Sequence, residues 1–277
     1  MKIIVTHMSP DLDAIASTWL IKKFLPGWSD ATINFVSAGK TLHDKSPDSN
    51  PETIHVDTGL GKFDHHQSAD LTCSTKKVLD FLNREKHIKK NLQKPLEILA
   101  NFAIDDDHFL EIYYPEPTAD RYEFLINNLI DGLKIVLVED IKLTEFVFTI
   151  LDGMLEKLKL KVISIQELNN GIVFTSYLGK SFIIETGNDE VLKSAQKAGY
   201  NLVIRKDPKY GNIRIKTPPD PNLDLTPLYN KILKLDKEGY WFFHSSKHML
   251  LNGSPKRPDQ KASPLTVKKL VEIIKSI

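Results

Sequence analysis

Ile54-His55-Val56-Asp57-Thr58-Gly59-Leu60-Gly61-Lys62-Phe63-Asp64-His65-His66-Gln67 joins a strand-like run to a histidine pair. An apolar run ends in an aspartate, two glycines turn the chain, and a second short run ends in Asp-His-His. Carboxylate and imidazole groups suit Mn²⁺, Mg²⁺ or Zn²⁺. Placed where a strand stops, they converge on one point while the backbone stays hydrogen-bonded. A polar loop with surface histidines would account for one such stretch. It does not account for a second, His7-Met8-Ser9-Pro10-Asp11-Leu12-Asp13, directly after the strand-like Lys2-Ile3-Ile4-Val5-Thr6. Two strand-end clusters of Asp and His imply a metal site.

Working outward, the chain has 277 residues, 41% hydrophobic and 26% charged, as in an ordinary globular protein of one large or two smaller domains. A net charge of +1 gives no global attraction to nucleic acid or anionic membrane, so any basic surface must be local. The single cysteine, Cys73, excludes an intrachain disulfide and suits a reducing compartment. Its neighbours Thr72 and Ser74 resemble a helix start, which favours a packing role. No segment approaches the ~20 apolar residues of a membrane span. The N-terminus enters a strand without a signal-peptide pattern, so a cytoplasmic location is expected.

After the first strand, Ala14, Ile15, Trp19, Leu20 and Phe24 recur at helical spacing up to Pro26-Gly27. Residues 31–37 and 54–56 read as strands. A helix from Ser74 has Val78, Phe81 and Leu82 inward, and another carries Leu96 to Phe109. A long helical region is expected from Arg121 to about Leu158. The predicted fold class is α/β: an N-terminal doubly wound, mostly parallel sheet with a smaller C-terminal α+β domain. The boundary is expected between 155 and 170, giving domains 1–160 and 161–277. In the second half, residues 171–177 and 181–185 read as a hairpin and 190–198 as a helix. Strands follow at 201–206 and 212–217, with helices at 226–235 and 265–277.

In open α/β sheets ligands sit beyond the carboxyl ends of strands, where His7, Asp11, Asp13, Asp57 and His65 all fall. Such carboxylates can bridge two divalent ions about 3.5–4 Å apart, a spacing that clamps an in-line phosphoryl displacement. A further ligand is sought in Asp105-Asp106-Asp107-His108, with Asp106 and Asp107 favoured.

Thr6-His7-Met8-Ser9-Pro10-Asp11-Leu12-Asp13-Ala14-Ile15-Ala16-Ser17 resembles the first motif of the DHH phosphoesterase superfamily, in the form seen in family II inorganic pyrophosphatases. Asp64-His65-His66 resembles the motif that names the superfamily. The short interval from Asp57 to Asp64, with Gln67 after it, is similar to the melanocyte-proliferating-gene type of nuclease. That type lacks the Asp-x-Asp of the first motif, so the sequence lies between branches. The resemblance implies that His7, Asp11, Asp13, Asp57 and His65 hold metal. It implies that His66 contacts the substrate phosphate as a catalytic residue and that Asp64 orients an imidazole. It also implies two ions per chain, Mn²⁺ most often, with Mg²⁺ or Co²⁺ as alternatives.

Further along, Trp241-Phe242-Phe243-His244-Ser245-Ser246-Lys247 and residues 249–254 read as strands that end in polar groups. Gly253-Ser254-Pro255-Lys256-Arg257 is a small-residue turn with two cations, suited to a phosphate. His244, Lys247, Asn252, Gly253, Ser254, Lys256 and Arg257 are therefore candidate substrate contacts. The resemblance implies that such a C-terminal domain closes over the metals, although its usual glycine triplet is absent. Tyr240, Trp241 and Phe242 are candidate stacking groups for single-stranded nucleic acid. The first expectation is a metal-dependent phosphohydrolase or phosphodiesterase acting on short oligonucleotides or nucleotides. The others are an inorganic pyrophosphatase and a non-catalytic nucleotide-binding protein of the same fold. Expected partners are a phosphorylated small molecule or short single-stranded nucleic acid and no membrane, with a homodimer left open.

Overall fold

The computed structural model describes residues 1–254, 257 and 259–277. The chain divides into two compact units, Met1–Lys159 and Leu160–Ile277.

In the first unit, β1 (Ile3–His7), β2 (Thr32–Val36) and β3 (Thr53–His55) form a parallel sheet of order β2-β1-β3. The sheet puts β1 at the centre, so His7 ends the central strand and Asp57 lies just past its neighbour. Helix α1 (Leu12–Phe24) follows β1 and is buried along every residue from Leu12 to Ile21. A helix apolar on all sides is one enclosed by others. α2 (Ser74–Arg84), α3 (Lys90–Asp107), α4 (Ile126–Val136) and α5 (Asp140–Glu167) supply that enclosure. Ile4, Ile15, Trp19, Val78, Leu82, Leu96 and Leu99 lie in one core with α1.

The first unit is thus α/β, and among the described residues its parallel sheet has the three strands expected. Beyond Val56 its periodicity is helical. The helical region expected from Arg121 to about Leu158 holds α4 and α5, separated at residues 137–139, and α5 continues through the unit boundary to Glu167. The chain is helical at this boundary. No helix among the described residues is long and apolar enough to cross a membrane.

The second unit holds a six-stranded mixed sheet of order β4-β5-β6-β7-β9-β8. Its strands are β4 (Ile172–Ser176), β5 (Gly179–Glu185), β6 (Leu202–Lys206), β7 (Ile213–Lys216), β8 (Trp241–Phe243) and β9 (Met249–Asn252). Only β5 and β6 pair in parallel. α6 (Glu190–Lys197) makes the crossover between them, as parallel pairing requires. One face carries Ile183, Ile204, Ile215 and Leu250 into a core with Leu228 and Ile232 of α7 (Thr226–Leu235) and Leu270 and Ile273 of α8 (Val267–Lys275). The other carries Phe182 and Val203 against Val191 and Leu192 of α6.

Asn252 pins the last strand. Its side-chain amide is fully buried, donates to Tyr240 O at 2.8 Å and accepts from Ser263 N at 2.7 Å. Asn252→Ala leaves both backbone groups buried without partners, at about 1–3 kcal/mol each. Chemical denaturation should show a loss on the order of 2–4 kcal/mol; wild-type stability would show that the amide is not a tie.

Candidate metal centre

Asp57 is the residue around which the site assembles. Val56 N still bonds Val5 O across the sheet at 2.9 Å, and Asp57 itself then turns into the left-handed region at φ +53°. A non-glycine residue there costs on the order of 1 kcal/mol or more, a strain typical of functional sites. Gly59 at φ +79° allows the reversal, because a Cβ would stand 2.6 Å from Thr41 Cγ2. Thr58 Oγ1 to Lys40 O at 2.9 Å and Leu42 N to His55 Nε2 at 3.0 Å tie this turn to the preceding loop.

The buried Asp57 carboxylate offers one oxygen to each of two sets of groups. Oδ2 is 3.3 Å from His7 Nε2, which is itself 3.7 Å from Asp11 Oδ2. Oδ1 is 3.3 Å from His65 Nε2, which is 3.5 Å from Asp107 Oδ2 and 3.8 Å from Asp13 Oδ2. His7, Asp11 and Asp57 can share one ion; His65, Asp107 and His108 form a second such group, and Asp57, His65 and His66 a third. His7 Nδ1 is held by Met8 O at 2.9 Å, which aims Nε2 at the carboxylates. His65 Nε2 is buried and lies near Asp57 without the alignment a hydrogen bond requires. A buried ring nitrogen without a hydrogen-bond partner, near three carboxylates, is suited to ligation, and the oxygen-rich, imidazole-containing donor set fits Mn²⁺ or Mg²⁺.

The acidic run resolves by rotation about α3. Asp107 faces His65, Asp105 accepts from Tyr114 Oη at 3.4 Å, and Asp106 turns toward Asn127. Asp106 lines a pocket of about 190 Å³ together with Asp11, Asp13, Asp107 and Phe109. Burial, only partly offset by Asn127, raises Asp106 to about 6.

Asp13 has a second task that the sequence did not disclose. Its two oxygens accept from Ser74 N and Thr75 N, both at 2.7 Å, so it caps the start of α2 from 61 residues away. Ser74 Oγ donates to Asp57 Oδ1 at 3.2 Å. Each carboxylate oxygen keeps a lone pair for a metal, so capping and ligation are compatible. Cys73 precedes this helix, buried, with its thiol pushed far up by burial. It is a packing residue.

His66 is half-exposed, and Asp64 fixes it: Oδ1 lies 2.7 Å from His66 Nδ1, and Oδ2 accepts from Leu60 N at 2.7 Å. The imidazole thereby keeps Nε2 for a ligand.

The electrostatics describe crowded carboxylates. Burial, then Asp57, raises Asp11 and Asp13, and burial also raises Asp107. Burial works against the charged form of His7, but Asp57, Met8 O and Asp11 outweigh it and bring it up to about 9. His65 is raised foremost by Asp57. Burial would raise Asp57 too, yet the two histidines hold it well below the usual carboxylate range.

The second unit treats its expected contacts differently. Asn252 is consumed by the buried bonds described above, which corrects its assignment as a substrate group. Arg257 lies flat on Asp259, Nε to Oδ1 at 3.1 Å and Nη2 to Oδ2 at 3.0 Å, and Lys247 pairs with Asp224 at 3.0 Å. His244 Nδ1 lies 2.8 Å from Ser246 Oγ. Gly253 has φ +66°, and a Cβ there would stand 2.5 Å from Asn212 Oδ1. Ser254 and Arg257 form an isolated β-bridge, while Lys256 lies outside the described residues. Trp241 is buried, with Nε1 bonded to Asp236, so it does not stack on a ligand.

No protein-family model and no curated protein sequence matches the chain. Its structure is similar to RecJ from Thermus thermophilus in complex with Mg²⁺, at 11% identity and a TM-score of 0.34 over 99% of this chain and 49% of that one. It is also similar to an exopolyphosphatase-related protein from Bacteroides fragilis, at 11% identity and a TM-score of 0.25 over 99% of this chain and 90% of that one. The chain spans about half the length of the RecJ chain. At TM-scores this low, neither likeness adds to what the geometry of the centre carries.

Two outcomes follow from the geometry. Asp13→Ala orphans two buried N–H groups at about 1–3 kcal/mol each, partly offset by relieved repulsion. In chelator it should lose on the order of 2–4 kcal/mol of unfolding free energy, and Asp13→Asn less; a wild-type unfolding curve for Asp13→Ala would contradict the capping role. Ligation requires neutral imidazole, and a His7 pKa of about 9 means it is protonated at pH 7. Calorimetry in buffers of different ionisation enthalpy should therefore show proton release on Mn²⁺ binding, with affinity rising as pH approaches 9. Proton-neutral binding at pH 7 would contradict it.

Proposed function

We propose that the protein is a divalent-metal-dependent phosphohydrolase of the DHH phosphoesterase type, with a phosphodiester of a short oligonucleotide or nucleotide as its substrate. The observation that carries this reading is the Asp57 carboxylate, with one oxygen toward His7 and Asp11 and the other toward His65 and Asp107. His7, Asp11 and Asp57 would hold one ion, and Asp57, His65, Asp107 and Asp13 another. Divalent ions there supply Lewis-acid polarisation of a phosphoryl oxygen and of water near neutral pH.

The chain's own residues do the rest. Asp57 sets the separation of the two ligand sets, and Asp13 and Ser74 lock that part of the cluster to α2. Asp64 holds the His66 ring so that Nε2 can contact a phosphate oxygen or exchange a proton with it. The reaction uses no serine or cysteine nucleophile, in keeping with the inert, buried Cys73.

Dinucleotides, longer RNA, single-stranded DNA, cyclic dinucleotides and pyrophosphate, each tested with Mn²⁺ and Mg²⁺, form the decisive panel. Turnover should require metal, vanish in strong chelator and return on adding Mn²⁺. His65→Ala should reduce it to background. Asp64→Asn should lose about 10–100-fold, as for partners that orient a ring at a metal site. Undiminished turnover in chelator would overturn the proposal. Hydrolysis of pyrophosphate alone would keep the metal chemistry and replace the substrate.

A further inference from the structure

The net charge of +1 conceals a division. Residues 160–277 carry 19 Lys and Arg against 11 Asp and Glu, whereas residues 1–159 carry 18 against 25. The second unit is therefore strongly basic, and its sheet presents a face on which that charge meets exposed aromatic rings.

Strand pairing puts residues on that face into rows, since directly opposed residues point the same way. One row runs Arg214–Leu251–Phe242 across β7, β9 and β8. The next runs Lys216–Met249, with His244 beside Met249 through its backbone bond. Each row therefore ends in a cation on β7 and an aromatic ring at β8, with an aliphatic side chain between. Phe242 and His244 meet edge to face at 6.2 Å, which confirms that they share a side. Where α6 covers this face, over β5 and β6, Phe182 and Val203 are fully buried. At the β8 edge Phe242 is 47% exposed and the adjacent Tyr240 53%. Trp241 between them points into the core, so the outward rings are not simply core that failed to close.

We propose that this face of β7, β9 and β8 binds single-stranded nucleic acid, with Phe242 and Tyr240 stacking on bases and Arg214, Lys216 and His244 facing the phosphates. Strands lie about 4.8 Å apart, which puts Arg214 roughly 10 Å from Phe242, within reach of the backbone of a stacked nucleotide. An aromatic platform in a positive field is how single strands are held without sequence readout. A protein partner's apolar patch would offer no counter-charge to Lys216, which phosphates would. Asp189 pairs with Arg205 and Arg214 and offsets part of the charge, whereas Lys216 lies one row farther along.

The surface is tested apart from any hydrolysis. The full chain is titrated into labelled oligo(dT), oligo(U) and a duplex by fluorescence anisotropy. One arm uses excess chelator, and a second uses Mn²⁺ with phosphorothioate strands. Both single strands should bind more tightly than duplex, and more weakly as salt rises. Phe242→Ala should weaken binding on the order of tenfold and Phe242→Trp should retain it. Lys216→Ala should reduce the salt slope by about one. The melting temperature of Phe242→Ala should stay near wild type, because the ring is exposed. Binding in the chelator arm, where the metal centre cannot contribute, separates failure of this surface from failure of that centre. Wild-type affinity in Phe242→Ala, or no binding in either arm, overturns the proposal. So does a concentration-dependent dimer abolished by Phe242→Ala, which would assign the face to a second copy.

Discussion

The first unit depends on one buried carboxylate held between two imidazoles. Asp57 lies where β3 gives out, its backbone turned into a left-handed conformation that the surrounding contacts must maintain. Parallel pairing of β1 with β3 sets His7 and Asp57 side by side at adjacent strand ends. The turn through Gly59 then returns the chain, so that His65 approaches from the opposite side. Without that sheet register neither histidine would find the carboxylate.

A second constraint binds this cluster to the helices. Asp13 follows the helix cap Asp11 by two residues, and both its oxygens accept from the start of α2. The same helix start sends Ser74 Oγ to Asp57. The groups proposed to hold metal are thus the groups that orient α1 and α2 at their N-terminal ends. Stability and ligation share atoms here, and raised carboxylate and imidazole pKa values are the electrostatic consequence. In the second unit, buried polar groups such as Asn252 and Asp236 serve the fold alone, and the exposed aromatic and basic groups lie on the opposite face of the sheet.

The motifs at residues 7–13 and 57–66 were legible because strand ends convert short sequence intervals directly into spatial convergence. The elements of the second half were legible for a similar reason: alternation and turn residues mark hairpins locally. The ligand among Asp105, Asp106 and Asp107 was not, because successive helical residues differ by about 100° and the phase of α3 is set by packing. The Asp13–Ser74 contact spans 61 residues and leaves no local mark. The roles of Asn252 and Arg257 depended on partners at Ser263 and Asp259 that a basic turn does not reveal.

On the proposed reading, the Asp57 carboxylate would serve two divalent ions. Electron paramagnetic resonance of the chain titrated with Mn²⁺ tests it most directly, since one bridging carboxylate brings two ions close enough for their spins to couple. An exchange-coupled signal should grow in as the second equivalent binds and disappear in Asp57→Ala. A spectrum of isolated Mn²⁺ at every loading, unchanged by Asp57→Ala, would contradict it.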